Sequence, residues 1–446
     1  MKNSAIKLIA FFTLAFLFLS LLSSCSAPHQ HVFGEWTVDG EANCIDGATE
    51  KRSCDCGAVE TRTVPAKGHN IVDGVCSNCG KGPSEGLEFY SNDDGTRSFI
   101  GRGTCTDANL IVPAKSPDGG TVTKIMGGIF FADEVLTSIY IPESVIEISI
   151  DAFSVAPNLA SINISPNNTV YASLDGVLYS KDLTTLIKYP VAKVGATFDI
   201  PAGVTTIGFG AFAHATNLTS VNIPASVQTI ETSAFMSCSA LTSITIPEGV
   251  TTISGGVFAN CHSLSSINLP ESITSIEENA FSYCDALTSF TVPSGVTSIP
   301  KGAFSYCKSL ADIKLHDKIT RIGPQAFYYC SSLKQITIPA SVTRIYERAF
   351  SNCTSLESVV IPGGTTKIYE GTFQFCPSLV SVTIPESVTT IEALAFRECR
   401  SLSSIIFKGT VKQWESVKTT TSWRVYAPAK GVTCTDGTVE FSFSYS

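Results

Sequence analysis

The stretch Leu241-Thr-Ser-Ile-Thr-Ile-Pro-Glu-Gly-Val-Thr-Thr-Ile-Ser-Gly-Gly-Val-Phe-Ala-Asn-Cys-His-Ser263 decides the fold. Its pattern returns every 23 residues, with Leu218, Leu241, Leu264, Leu287, Leu310, Leu333, Leu356, Leu379 and Leu402 in step. Inside the unit, Leu-Thr-Ser-Ile-Thr-Ile alternates apolar and polar residues, which marks a strand with one buried face. Proline then ends that strand, because it has no N–H for a ladder. Val250-Thr-Thr-Ile253 reads as a second short strand, and the spacing of Val257, Phe258 and Cys261 predicts a single helical turn with its ring pointing inward. One such unit has too little core to fold alone, so consecutive units must stack and bury one another's faces. With neighbouring strands about 4.7–4.9 Å apart, eleven units make a rod on the order of 50 Å long.

Working outward, further copies occupy residues 136–158 and 195–217, the latter without the leading Leu. The 36 residues between them, 159–194, form one irregular unit, and Asp175-Gly176 between apolar flanks predicts a hairpin turn inside it. Phenylalanine recurs in one column at Phe153, Phe212, Phe235, Phe258, Phe281, Phe304, Phe327, Phe350, Phe373 and Phe396. Stacked units place those rings on top of one another, so a single continuous aromatic spine is expected. His316-Asp317 replaces the usual proline in its unit and predicts a local loosening there.

The combination of Ile-Pro, Val-Thr-x-Ile and Ala-Phe-x-x-Cys in a 23-residue unit resembles the BspA-like, or Treponema pallidum-type, leucine-rich repeats of bacterial surface proteins. The resemblance runs over about residues 88–446. Gly103-Thr-Cys105-Thr followed by Ile111-Val-Pro113 looks like that family's N-terminal cap, over 88–135. Phe407-Lys-Gly-Thr410, Gln413-Trp414 and Cys434-Thr-Asp-Gly437 look like its C-terminal cap, over 402–446. The expected architecture is a β-rich solenoid with its repeat array at 136–401, closed by caps that hide the open core edges. As partners, the resemblance implies host matrix proteins or neighbouring bacteria.

The N-terminus reads as an export signal: Lys2 and Lys7 precede an apolar run over 8–22, too short for a stable membrane span. Leu22-Ser-Ser-Cys25 resembles the bacterial lipobox, which implies a lipid on Cys25 after cleavage; a plain signal peptide cut nearby is the alternative. Segment 1–25 is then a leader, and the chain is expected in the cell envelope, surface-exposed and touching a membrane only through its anchor. Without Lys2 and Lys7 the chain keeps 28 basic residues against 39 acidic ones, a net of −11. That balance, with no basic run, argues against nucleic acid as a partner. Charged residues are only 15% of the chain, below the roughly 25% of ordinary globular proteins, and Ser and Thr cover the surface instead.

Of 16 cysteines, eight share one repeat column, from Cys238 through Cys399. Their side chains point the same way in stacked units about 4.8 Å apart, whereas a disulfide wants Cβ atoms near 3.8 Å, so buried free thiols are expected. Segment 26–87 has a different texture and reads as a small Cys/His-rich module, with His31, Cys44, Cys54, Cys56, His69, Cys76 and Cys79 as candidate metal ligands. Cys76-x-x-Cys79-Gly80 has the form of a zinc half-site. About fifty residues with little core need a staple, and zinc and disulfides would both serve.

No catalytic signature is present, and no cofactor is expected in the solenoid. The histidines lie in neither a His-Glu-x-x-His nor a Gly-x-Ser-x-Gly setting. What remains is surface. The fifth column of the unit points away from the core on the first strand, and Tyr140, Asn222, Thr245, Asn268, Thr291, Lys314, Thr337 and Thr383 are the candidate ligand-binding residues on it. Such a ladder suits an extended polypeptide or a glycan, or else merely keeps a β surface soluble. The chain reads as a non-enzymatic binding or adhesion protein, with a passive structural spacer as the alternative.

Overall fold

Alternation builds the first side of each coil. In the strand Ser243–Thr245, Ile244 is buried while Ser243 and Thr245 are exposed. The strand pairs in parallel, in register, with Ser266–Asn268 of the next unit. A second side forms after the proline, where Thr252–Ile253 pairs in parallel with Ser275–Ile276. The repeat length sets this register: Thr245 meets Asn268, 23 residues on.

The structure is a computed structural model that describes residues 33–39, 48–54, 58–64, 71–72, 75–76, 80–420 and 422–441. It divides into two compact units, Met1–Gly82 and Pro83–Ser446. The larger unit is a β-solenoid of about 15 turns. Ser84 already belongs to it, since its N–H donates to the Ile111 carbonyl at 2.9 Å. In the smaller unit, Thr37–Asp39, Ala48–Ser53 and Val59–Val64 form an antiparallel sheet, and the Arg52 guanidinium lies over the rings of Phe33 and Trp36. The segment expected to be a leader, with Cys25, lies outside the described residues.

The third side of the coil is not the expected helical turn. Ser233, Phe235 and Ser237 send their N–H groups forward to the carbonyls of Gly255, Val257 and Ala259 in the next unit. A helix would have turned those donors back along its own axis. Facing alternate peptides toward the neighbouring unit requires left-handed backbone twice per unit, as at Ser233 (φ 57°) and Ser237 (φ 60°). The ladder continues to the last repeat, where Leu394, Phe396 and Glu398 donate to Ser422, Trp423 and Val425 of the C-terminal cap. There Trp423 sits edge-on to Phe396 at 5.9 Å, and a short helix, Val411–Glu415, opens with a capping box between Thr410 and Gln413.

The aromatic spine is real but is two columns, not one. Tyr189, Phe212 and then Phe235, Phe258, Phe281, Phe304, Phe327, Phe350, Phe373 and Phe396 stack at 4.9–5.8 Å. Phe130 and Phe153 stack at 5.6 Å in a separate column. The irregular unit separates them. Its hairpin forms at Asp175-Gly176, joining Tyr171–Leu174 to Val177–Ser180. The second hairpin strand is buried on both faces: Leu178 packs into the N-terminal core, while Val177 and Tyr179 pack into the C-terminal one. It is a partition between two cores.

The loosening expected at His316-Asp317 is absent from that turn. His316 Nε2 lies 2.9 Å from the Pro293 carbonyl oxygen, which anchors the turn to the preceding unit, and the strand Asp312–Lys314 is in place. The lapse falls one unit later, where residues 335–337 adopt no regular strand.

Candidate functional site

The outward face of the first strands is where most of the predicted ligand residues come together. Asn222, Thr245, Asn268, Thr291, Lys314 and Thr337 are exposed, and Thr383 is half-buried. They lie in register from unit to unit, as in the pairs Thr245–Asn268 and Thr291–Lys314. Tyr140 does not join them. It is buried, because it lies at the N-terminal end of the array beside Ile111, itself buried and tied to Ser84. Outward orientation and exposure part company wherever the cap folds over the first strands.

Most of the other polar columns are internally committed. In the second column, Thr242 Oγ1 donates to the Thr219 carbonyl and Ser265 Oγ to that of Thr242, each at 3.2 Å. In the ninth, Ser272 Oγ donates to the Val250 carbonyl at 2.7 Å, and in the eleventh Thr320 Oγ1 to that of Thr297 at 3.2 Å. These hydroxyls saturate carbonyl oxygens along the coil and hold neighbouring turns together. The fifth column behaves differently. Asn222 donates to the Asp199 carboxylate, but among the described residues Thr245, Asn268, Thr291 and Thr337 have no side-chain hydrogen bond. Their donors and acceptors are open to solvent.

The face is not uniform along its length. Strand pairing lapses between Ser220–Asn222 and Ser243–Thr245, and again between Ser266–Asn268 and Ser289–Thr291. At the first of these lapses lies a shallow notch of about 180 Å³, lined by Ser220, Asn222, Ser243, Thr245 and Ile223.

Of the candidate metal ligands, Cys54 is half-buried and Cys76 is buried, while His31, Cys44, Cys56, His69 and Cys79 lie outside the described residues. The Gly80 N–H donates to the Cys76 carbonyl at 2.7 Å, and Gly80 is at φ 72°. Among the described residues no three His, Cys, Asp or Glu side chains cluster as metal ligands would.

The in-register solenoid with its thiol and phenylalanine columns is matched by the sequence profile of the BspA type leucine rich repeat region, in six copies, over residues 114–186, 195–311 and 297–417. The chain belongs to this BspA-type leucine-rich-repeat family. That family is one of bacterial surface proteins and has a non-enzymatic kind of fold. Among solved structures, a leucine rich cell surface protein from Faecalibacterium prausnitzii is 28% identical, covering 76% of this chain and 97% of its own, with a TM-score of 0.45. A leucine-rich repeat protein from Eubacterium ventriosum is 24% identical over 60% of this chain and 93% of its own, with a TM-score of 0.47. The T. pallidum leucine rich repeat protein is 18% identical over 62% and 90%, with a TM-score of 0.27. No match was found among curated proteins.

Proposed function

We propose that this BspA-type protein is held in the cell envelope by a lipid on Cys25 and uses the outward face of its first strands to bind an extracellular protein or glycan. The observation that carries the reading is the contrast between columns. Hydroxyls in the second, ninth and eleventh columns close onto the backbone, whereas Thr245, Asn268, Thr291 and Thr337 stay open to solvent on the outward face. A row of open polar groups repeating every 23 residues suits an extended partner bound through many weak contacts. Family membership supports a binding or adhesion role in general terms.

The test is a binding screen with the mature chain, against matrix proteins, mucins and intact bacterial cells, read by surface plasmon resonance. Saturable binding is expected, and Thr245→Arg with Asn268→Arg should abolish it without changing Tm. No saturable binding to any of these overturns the reading in favour of a passive spacer. Unit deletion separates the two: a spacer tolerates loss of residues 264–309, a binder loses affinity. Cys25→Ala should release the protein from the membrane fraction. For the N-terminal module we propose a zinc site on its cysteines and histidines; an oxidised, metal-free module on elemental analysis of the full chain would replace zinc by disulfides.

A further inference from the structure

The second side of the coil carries a row of cations that the first-strand face does not use. Its outward position, the twelfth of each unit, is Thr or Ser from Thr206 to Ser298 and then becomes Arg321, Arg344 and Lys367. Arg321 and Arg344 stand directly opposite one another in paired parallel strands, and Ser298 faces Arg321 from the other edge. Both arginines are exposed, and among the described residues neither side chain has a hydrogen bond or an ion pair. The row resumes in the C-terminal cap at Lys418, which is exposed and in register with Thr390.

Like charges directly opposite destabilise a strand pair, whereas opposite charges stabilise it. The N-terminal end of the same column is balanced: Lys124 faces Glu147 in register, and their side chains meet at 2.5 Å. No such carboxylate serves Arg321 and Arg344. Asp317 and Glu347, exposed in the same two units, pair with neither. In the units beyond, Glu370 is engaged by Arg348 at 3.4 Å and Glu392 by Lys367 at 2.7 Å. The imbalance extends to the whole region. Residues 195–300 hold seven acidic residues and no lysine or arginine, whereas residues 301–430 hold 16 basic and nine acidic ones. A chain that is acidic overall thus concentrates positive charge around this row.

The strand Arg321–Ile322 is paired on both edges, and the adjoining Thr320 and Thr343 hydroxyls close onto the carbonyls of Thr297 and Thr320. An extended peptide that docks on a sheet through free main-chain groups finds none here. A guanidinium fork instead takes an oxyanion through two parallel N–H groups. With units about 4.8 Å apart, Arg321 to Lys418 spans about 20 Å along the rod. A stiff duplex laid on the row would run on into the acidic units, whereas a flexible linear polyanion can follow it and turn away.

We propose that Arg321 and Arg344, continued by Lys367 and Lys418, form a docking row for a linear sulfated glycan. The row lies on a different side of the coil from the open threonine and asparagine ladder, so either surface can fail without the other.

The test is surface plasmon resonance of the full mature chain over heparin, with dextran as the neutral control and duplex DNA as a second polyanion. Heparin should bind saturably, and more weakly as salt rises, because binding releases counterions. The informative variant is Arg321→Thr with Arg344→Thr, because threonine already fills this column at Thr252 and Thr390. It should weaken heparin binding by about ten-fold or more, with Tm unchanged or higher because a like-charge pair is gone. Lys334→Thr with Lys408→Thr removes the same charge from two other exposed columns and should leave binding within about two-fold. The proposal is overturned if heparin does not bind, if dextran or duplex DNA binds as tightly, if the double arginine variant binds as the wild type does, or if the double lysine variant weakens binding as much.

Discussion

The thiol of Cys307 donates to the carbonyl oxygen of Phe281, in the preceding unit, at 3.1 Å. The same oxygen accepts the backbone N–H of Cys284 at 3.2 Å, so one carbonyl ties a turn to itself and to its successor. The relationship repeats from Cys238–Phe212 to Cys399–Phe373 at 3.1–3.3 Å. The column cysteines are therefore donors as well as fillers. Cys307→Ala should lower stability by about 1–2 kcal/mol, because a bond and some packing are lost together. Urea unfolding checks this. If Cys307→Ala leaves the transition midpoint unchanged, the thiol–carbonyl ladder contributes nothing.

Burial also governs the chemistry of these thiols. It pushes both Cys238 and Cys353 up to about 12, far from the pH at which thiolate forms in water. Since the thiolate is the reactive species, the folded array should resist alkylation at pH 8, and all eight column cysteines should react once it is unfolded. Site-resolved mass spectrometry after iodoacetamide treatment distinguishes them from the cysteines of the N-terminal module. Rapid labelling of the column in native protein would contradict the packing described.

Phe304 stacks between Phe281 at 5.4 Å and Phe327 at 5.6 Å, with Phe290 edge-on at 4.8 Å. Phe304→Ala should cost about 3–5 kcal/mol. Because the strand Val177–Ser180 separates the cores, loss of amide protection should spread through residues 195–407 and spare the strands Asn109–Ile111 and Ser138–Ile141. Hydrogen exchange of wild type and variant shows this directly. Equal loss of protection on both sides would mean that the partition does not uncouple them.

The repeat itself was legible in the sequence because burial and register there are set by spacing alone: Ile244 faces inward and Thr245 outward whichever unit surrounds them. Two column members were readable and missed. Phe130 precedes Phe153, and Tyr189 precedes Phe212, by 23 residues each, but Tyr189 follows Lys188 where regular units have alanine, which hid the match. The left-handed positions left no such trace. His214, Ser237, Asn260, Tyr283 and Glu398 share the conformation without sharing chemistry, because bonds between turns impose it. Tyr140 was misplaced for a related reason: a periodic rule assumes repeat neighbours on both sides, and the cap supplies Ile111 instead.

Gly176 is at φ 73°, and a Cβ there would sit 2.7 Å from Ser161 Oγ. Its carbonyl also accepts the Ile162 N–H at 2.8 Å, which lays the hairpin turn along the strand Ser161–Ile164. Gly176→Val combines an unfavourable backbone with a clash, so a loss of about 2 kcal/mol or more is expected. Thermal unfolding measures it. An unaltered Tm would show that the partition does not depend on this turn.

Lys188 stands where regular units carry the alanine of Ala-Phe, and its ammonium supplies donors that the irregular unit lacks. Nζ reaches the Gly210 carbonyl at 3.1 Å and the Ala213 carbonyl at 3.5 Å. Burial drives its pKa down to about 8, so the folded chain releases this proton well before the unfolded chain does. Between about pH 8 and 10.5 this one group makes the unfolded state bind more protons and contributes up to about 1.4 kcal/mol per pH unit of rising stability. The column thiols act in the opposite sense and outnumber it. Burial raises Cys238, Cys261, Cys284, Cys307, Cys330, Cys353 and Cys376, so above about pH 8.5 the unfolded thiols ionise first and stability falls. Burial also raises Tyr179 and takes Tyr189 to about 12, which steepens the fall above about pH 10. Chemical denaturation from pH 7.5 to 11 should therefore show a decline in the wild type. Lys188→Met keeps the bulk but not the proton, and should decline more steeply between pH 8 and 10.5. Equal slopes in the two proteins would mean that Lys188 does not titrate in this window.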